Sequence, residues 1–161
     1  MTALYLLVDA VLVGTLGVWM AVAVADNWRH PKLNLEAVAM VVRFDLMARD
    51  YPDDFALLAH RRIDDDALIA RLFHMIRAAE TLAAIVLFLS AGLLLGAALG
   101  AVAAPVATGA AVLSTALFAT IWAGFVIGGN YFAYWYCHQW AQSNHFMLLY
   151  WGLFVLLVLL R

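Results

Sequence analysis

From residue 81 to residue 160 the chain carries no aspartate, glutamate, lysine or arginine. A soluble domain keeps a substantial part of its surface charged, and half a chain without charge cannot supply one. Such a stretch belongs in hydrocarbon, where a helix satisfies its own backbone donors and acceptors. The whole chain agrees. It is 67% apolar and 12% charged, where soluble domains run at about half apolar and about a quarter charged. The formal charge of −2 gives nucleic acid nothing to bind. A single cysteine, Cys137, excludes an internal disulfide and a multi-cysteine zinc site. The first apolar run lacks a basic leader and contains Asp9, so it reads as a span rather than a signal peptide.

Four spans are expected, over about 3–25, 73–99, 105–127 and 144–160, each near the roughly 20 residues that cross a bilayer. The fold class is therefore an all-α membrane protein, one domain over residues 1–161, with four transmembrane helices in an antiparallel bundle. Asp64, Asp65 and Asp66 precede the second span and supply its N-cap. Pro105 marks the first turn of the third, and Gly128 and Gly129 are expected to interrupt that span.

The connection 26–72 is the hydrophilic section, with seven of the nine basic residues and nine of the eleven acids. Asn34 is read as an N-cap for a helix over Leu35 to Arg49, lying at the interface and broken by Pro52. A second piece starts near Asp53 or Asp54. Between the third and fourth spans, Tyr131, Tyr134, Trp135, Tyr136 and Trp140 form a concentrated interfacial aromatic belt. Gly92, Gly96 and Gly100, then Gly124 and Gly128, recur at four-residue spacing. In lipid such ribs let backbones approach closely. Packing within the bundle is the first reading, and homodimerisation or docking of a partner helix is the second.

The run Gly128-Gly129-Asn130-Tyr131-Phe132-Ala133-Tyr134-Trp135, followed by Trp140, resembles a bacterial family of predicted small four-helix integral membrane proteins, domain of unknown function 2165. Gly128, Gly129, Phe132, Trp135 and Trp140 match its pattern. Asn130 stands where the family usually has an acid, and Tyr131 where it has tryptophan. Arg77-Ala78 with Glu80 is a second match, and Asn27 a weaker third. The resemblance implies a bacterial inner-membrane protein and brings no established activity. The family's connection between the second and third spans tends to be basic, whereas here it is uncharged. The positive-inside rule puts section 26–72 in the cytoplasm, the family pattern points the other way, and both orientations stay open.

Two carboxylates fall within apolar spans. Glu80 lies about two turns, roughly 10 Å, into the second span as read, and a charge at the bilayer centre costs on the order of 2.5–3.5 kcal/mol. Arg77 and His74, at three-residue steps, make a polar stripe with it. An ion pair that fixes helix register is the bland reading, and a proton or ligand site the functional one. Asp9 is the other acid. It reads either as the end residue of a tilted span facing headgroups or, since four spans put both termini on one face, as a partner for Arg161.

Histidines raise haem b or copper as an alternative. His60 and His74 are spaced like ligands on one membrane helix, but Arg61, Arg62 and Asp64 to Asp66 lie between them. Cys137, His138 and His145, with Met147, would suit a soft metal if they converged. The acidic clusters lack the alternation and glycine of a calcium loop. No nucleophile–base pair, phosphate loop or cofactor fingerprint is present. The expectation is a non-catalytic accessory subunit of a larger membrane assembly, its partners being lipid and other integral membrane subunits. A haem or metal protein is one alternative, and a small transporter or sensor built on Glu80 and Arg77 is the other.

Overall fold

The computed structural model describes residues 2–161. Four long apolar helices run through it: α1 (Ala3–Arg29), α5 (Asp66–Ala98), α6 (Ala104–Tyr131) and α8 (Gln139–Leu159). Between the first two lie α2 (Pro31–Val42), α3 (Asp45–Asp50), α4 (Pro52–Leu58) and a 3₁₀ turn over Ala59–Arg61. A single turn, α7 (Tyr134–Cys137), joins α6 to α8.

The packing is antiparallel. On α1, Gly14 faces Ala91 of α5, Gly17 faces Leu87, and Asn27 reaches Glu80. On α8, Gly152 lies against Phe118 and Ala119 of α6, while His145 lies against Trp122. Where lipid already surrounds apolar surface, close packing rather than water exclusion holds such helices together. Gly17 and Gly152 provide it, because a methyl group on Gly152 would come within 2.9 Å of the Phe118 ring. Trp19, Phe118 and Trp122 fill the centre, with edge-to-face centroid distances of 5.3 to 6.4 Å. Each such pair contributes about 0.5–1.5 kcal/mol beyond its area.

Several boundaries differ from the sequence expectation. Helix α5 starts at Asp66, because the Asp65 carboxylate accepts from the Ala67 and Leu68 amides at 2.8 and 3.1 Å. Its first turns stand outside the apolar span. Helix α6 continues through Gly128 and Gly129 to Tyr131, since its backbone ladder tolerates glycine where packing sustains it. The interfacial helix starts at Pro31 rather than after Asn34. It ends well before Arg49, because Phe44 takes a left-handed conformation (φ 57°) and starts α3 anew. Pro52 opens α4 in the first turn, where its missing N–H costs nothing. Gly100 (φ +78°) closes α5 in a Schellman turn, with Ala101 N–H on Gly96 O at 2.8 Å and Gly100 N–H on Ala97 O at 3.1 Å.

The connecting helices form a cap on one end of the bundle. Phe44 and Ala133, both left-handed, are buried together with Met47. Phe44 packs on Phe55 and Phe132. Tyr136 donates to Asp54, and Arg61 Nη1 donates to Tyr131 O at 3.1 Å with its guanidinium 5.2 Å from that ring. The hydrophilic section is thus a folded lid held to the α6–α8 connection.

Candidate functional site

Beneath the lid a cleft of about 480 Å³ opens at the level where the apolar run of α1 ends. Each long helix contributes a polar group to its wall: Asn27 from α1, Glu80 from α5, Trp122 from α6 and His145 from α8. Asn34 enters from α2.

Glu80 is 4% exposed, and its Oε2 accepts from Asn27 Nδ2 at 2.7 Å. Asn27 in turn accepts from Asn34 through its Oδ1. Asn34 therefore ties the lid helix to the bundle instead of capping a helix. Among the described residues no basic group pairs with Glu80. The ion pair expected with Arg77 does not form. Arg77 places its guanidinium 3.9 Å from the centre of the Trp28 ring and its Nη2 3.1 Å from His74 Nδ1. Trp28 donates from Nε1 to Thr81 Oγ1 at 3.2 Å. His74 and Arg77 are thus a clamp between α1 and α5, outside the wall that Glu80 lines.

His145 sits in an aromatic box, with ring centroids 4.7 Å from Phe125, 5.5 Å from Trp122 and 5.8 Å from Tyr134. Its Nδ1 and the Trp122 Nε1 are buried without a hydrogen-bond partner among the described residues. Buried polar atoms are paired in the great majority of cases, so two such atoms on one cleft are informative. Partial burial lowers the His138 pKa below its ordinary value and raises that of the Tyr134 phenol. The hydrogen bond to Asp54 is the main cause that pushes the Tyr136 phenol up to about 12.

Other candidate residues lie apart from the cleft. Asp9 is fully buried at the opposite end of the bundle, where Arg161 Nη2 donates to its Oδ1 at 2.9 Å. Cys137 belongs to the cluster under the lid, and its thiol is pushed up by burial first and by Asp50 second. Among the described residues no three His, Cys, Asp or Glu side chains come together as a metal site, so Cys137, His138 and His145 do not converge. Tyr131, Trp135 and Trp140 are 50, 52 and 78% exposed, as an interfacial belt requires.

The glycine ribs do not serve the bundle as first read. A methyl group on Gly92, Gly124 or Gly128 would meet nothing within 4 Å, and Gly96 faces Val102 of the following turn. Gly124 and Gly128 instead border a second, apolar groove of about 380 Å³ between α5 and α6. Sequence reasoning passed over Trp122 and assigned Asn34 to a cap. A tryptophan inside an apolar span looks like a packing residue until its N–H is seen to lack a partner.

These features define an integral membrane protein of four spans that contacts lipid along its outer faces. The chain belongs to the family described as predicted small integral membrane protein (DUF2165), whose model matches residues 5–161. No curated protein and no solved structure matches it.

Proposed function

We propose that this protein is a ligand-binding protein of the bacterial inner membrane, a sensor or carrier whose site is the cleft around Glu80. One observation carries the reading: a carboxylate buried at the edge of an apolar span, held among the described residues by Asn27 alone and facing a cleft of about 480 Å³. An ionisable group in such a place is costly and marks a functional site by default. Arg77 acts in this reading as a positioning residue, because its stack on Trp28 fixes the end of α1 that carries Asn27. The test is small-molecule extraction from the full chain purified in mild detergent, with Glu80→Gln prepared in parallel. A compound retained by the parent and missing from the variant supports the reading. Identical extracts overturn it. The visible absorbance spectrum of the same preparation reads out haem b or copper.

A second reading, a non-catalytic accessory subunit of a larger respiratory or other oxidoreductase assembly, draws on the outward glycines. Gly92 and Gly109 leave open space on the faces of α5 and α6, where another integral membrane subunit's helix can approach closely. Native purification tests it. Migration as a lone monomer counts against it.

A further inference from the structure

We infer that the cleft binds a lipid-soluble quinone, its ring against Trp122 and His145 and its tail in the groove between α5 and α6. The inference rests on the reading of the cleft as a ligand site and names the ligand class.

The two spaces adjoin. Val38, Val41, Ile76, Phe125 and Tyr134 border both the polar cleft and the apolar groove. An occupant of both has a polar head and an apolar tail. Met75 lines the groove and is 68% exposed on the outer face of an apolar span, so a tail enters from the bilayer. Gly124 and Gly128 make the room for it, since side chains there would fill the groove.

The head is specified by three properties of the cleft. First, among the described residues Asp26 and Glu80 line it and no lysine or arginine does. A phosphate head would meet two carboxylates and no cation, which disfavours an anionic phospholipid. Second, Trp122 is 4% exposed and its Nε1 has no partner. An indole N–H only donates, so it calls for an acceptor, and a ring carbonyl is one. Third, the wall is built of rings. Trp122 stacks on Phe125 at 5.2 Å and on His145 at 5.5 Å, with small interplanar angles. A flat conjugated head continues such a stack with little loss of conformational freedom. A neutral, flat, acceptor-bearing ring on an apolar tail is a quinone. The proposal concerns binding and assigns no electron transfer.

The test uses the full chain in phosphatidylcholine nanodiscs, read by the shift of its thermal unfolding midpoint, since a ligand that binds the folded state alone stabilises it. Phospholipid is then always present, and stabilisation on top of it belongs to the added probe. Decylubiquinone is expected to give a saturable shift. The tailless ring, 2,3-dimethoxy-5-methylbenzoquinone, is expected to need at least about ten times the concentration, and decanol to give none. Trp122→Phe should weaken decylubiquinone about tenfold. Gly124→Leu, at a position with open space, retains the fold and should bring decylubiquinone down to the tailless ring while leaving the tailless ring unchanged. A non-saturating response, equal potency of the two quinones, or unaltered binding by Gly124→Leu overturns the proposal. If a different compound is retained by the parent and lost from Glu80→Gln, the quinone falls and the ligand site stands. If no compound distinguishes them, both fall.

Discussion

Glu80 hydrogen-bonds to Asn27, 53 residues away, and not to Arg77, which lies one turn away on its own helix. Arg77 is drawn instead to the face of Trp28, where a guanidinium gains cation–π attraction without giving up its exposure to water. Glu80 is left to the interior of the bundle, and its nearest donor is the carboxamide that ends α1.

This separation predicts which residues are coupled. Asn27→Ala strips a buried carboxylate of its donor, and the expected loss is about 1–3 kcal/mol. Double-mutant cycles in detergent or bicelles should find Asn27 and Glu80 coupled by at least about 0.5 kcal/mol, and Arg77 and Glu80 coupled by less than that, through Trp28 and Asn27. A strong Arg77–Glu80 coupling would restore the ion pair and remove Glu80 from the cleft.

At the opposite end Arg161 closes the last helix on the first through Asp9. Removing one partner of a fully buried pair costs about 3–5 kcal/mol. The Arg161 side chain is 38% exposed, so solvent screening lowers the expected cost of Arg161→Ala to about 1–3 kcal/mol. Asp9→Asn in the same chain should recover much of that loss, because the uncompensated buried charge is gone. Unfolding midpoints of the two single variants and the double variant decide it. An Arg161→Ala chain as stable as the parent would show that the pair contributes nothing.

The glycines divide into two classes that stability measurements can separate. Gly152→Ala places its methyl 2.9 Å from the Phe118 ring and 3.3 Å from the Ala119 methyl. It should destabilise by about 1–3 kcal/mol through overpacking. Gly92→Ala and Gly124→Ala meet open space and should stabilise by about 0.4–1 kcal/mol, as alanine does in place of an unconstrained helical glycine. Equal effects at Gly152 and Gly124 would contradict the packing described.

The spans were legible because charge and hydropathy are local properties of the chain. A cap among Asp64 to Asp66, Pro105 in a first turn and Arg161 as a candidate partner of Asp9 could also be read from sequence, since each needs only a motif or the parity of four crossings. The cleft was not legible in the same way. Asn27 and Asn34 are polar residues in a polar section, and nothing local distinguishes them from solvated asparagines. Only the sharp entry of α2 at Pro31 turns one onto the other. The glycine ribs misled for a related reason. Four-residue spacing places glycines on one face of a helix but does not say which face, and the packing is made by Gly17 and Gly152, which lie in no such series.

His138 supplies a pH dependence with a defined sign. Burial lowers its folded-state pKa below the ordinary 6.5. Between the folded and ordinary values the unfolded chain holds a proton that the folded chain does not, so acid favours unfolding there. The stability is complete above about 6.5 and is lost as pH falls below it toward the folded value. Asp26, Glu80, Tyr134 and His145 line the same cleft, and all four are present both in the parent and in a His138→Gln variant. The difference between the two stability curves therefore isolates His138. Unfolding midpoints from about pH 7 down to about pH 5 should fall more steeply in the parent than in the variant. Parallel curves would mean that the His138 imidazole reaches water freely, and the lid would then stand more open over the cleft than the structure has it.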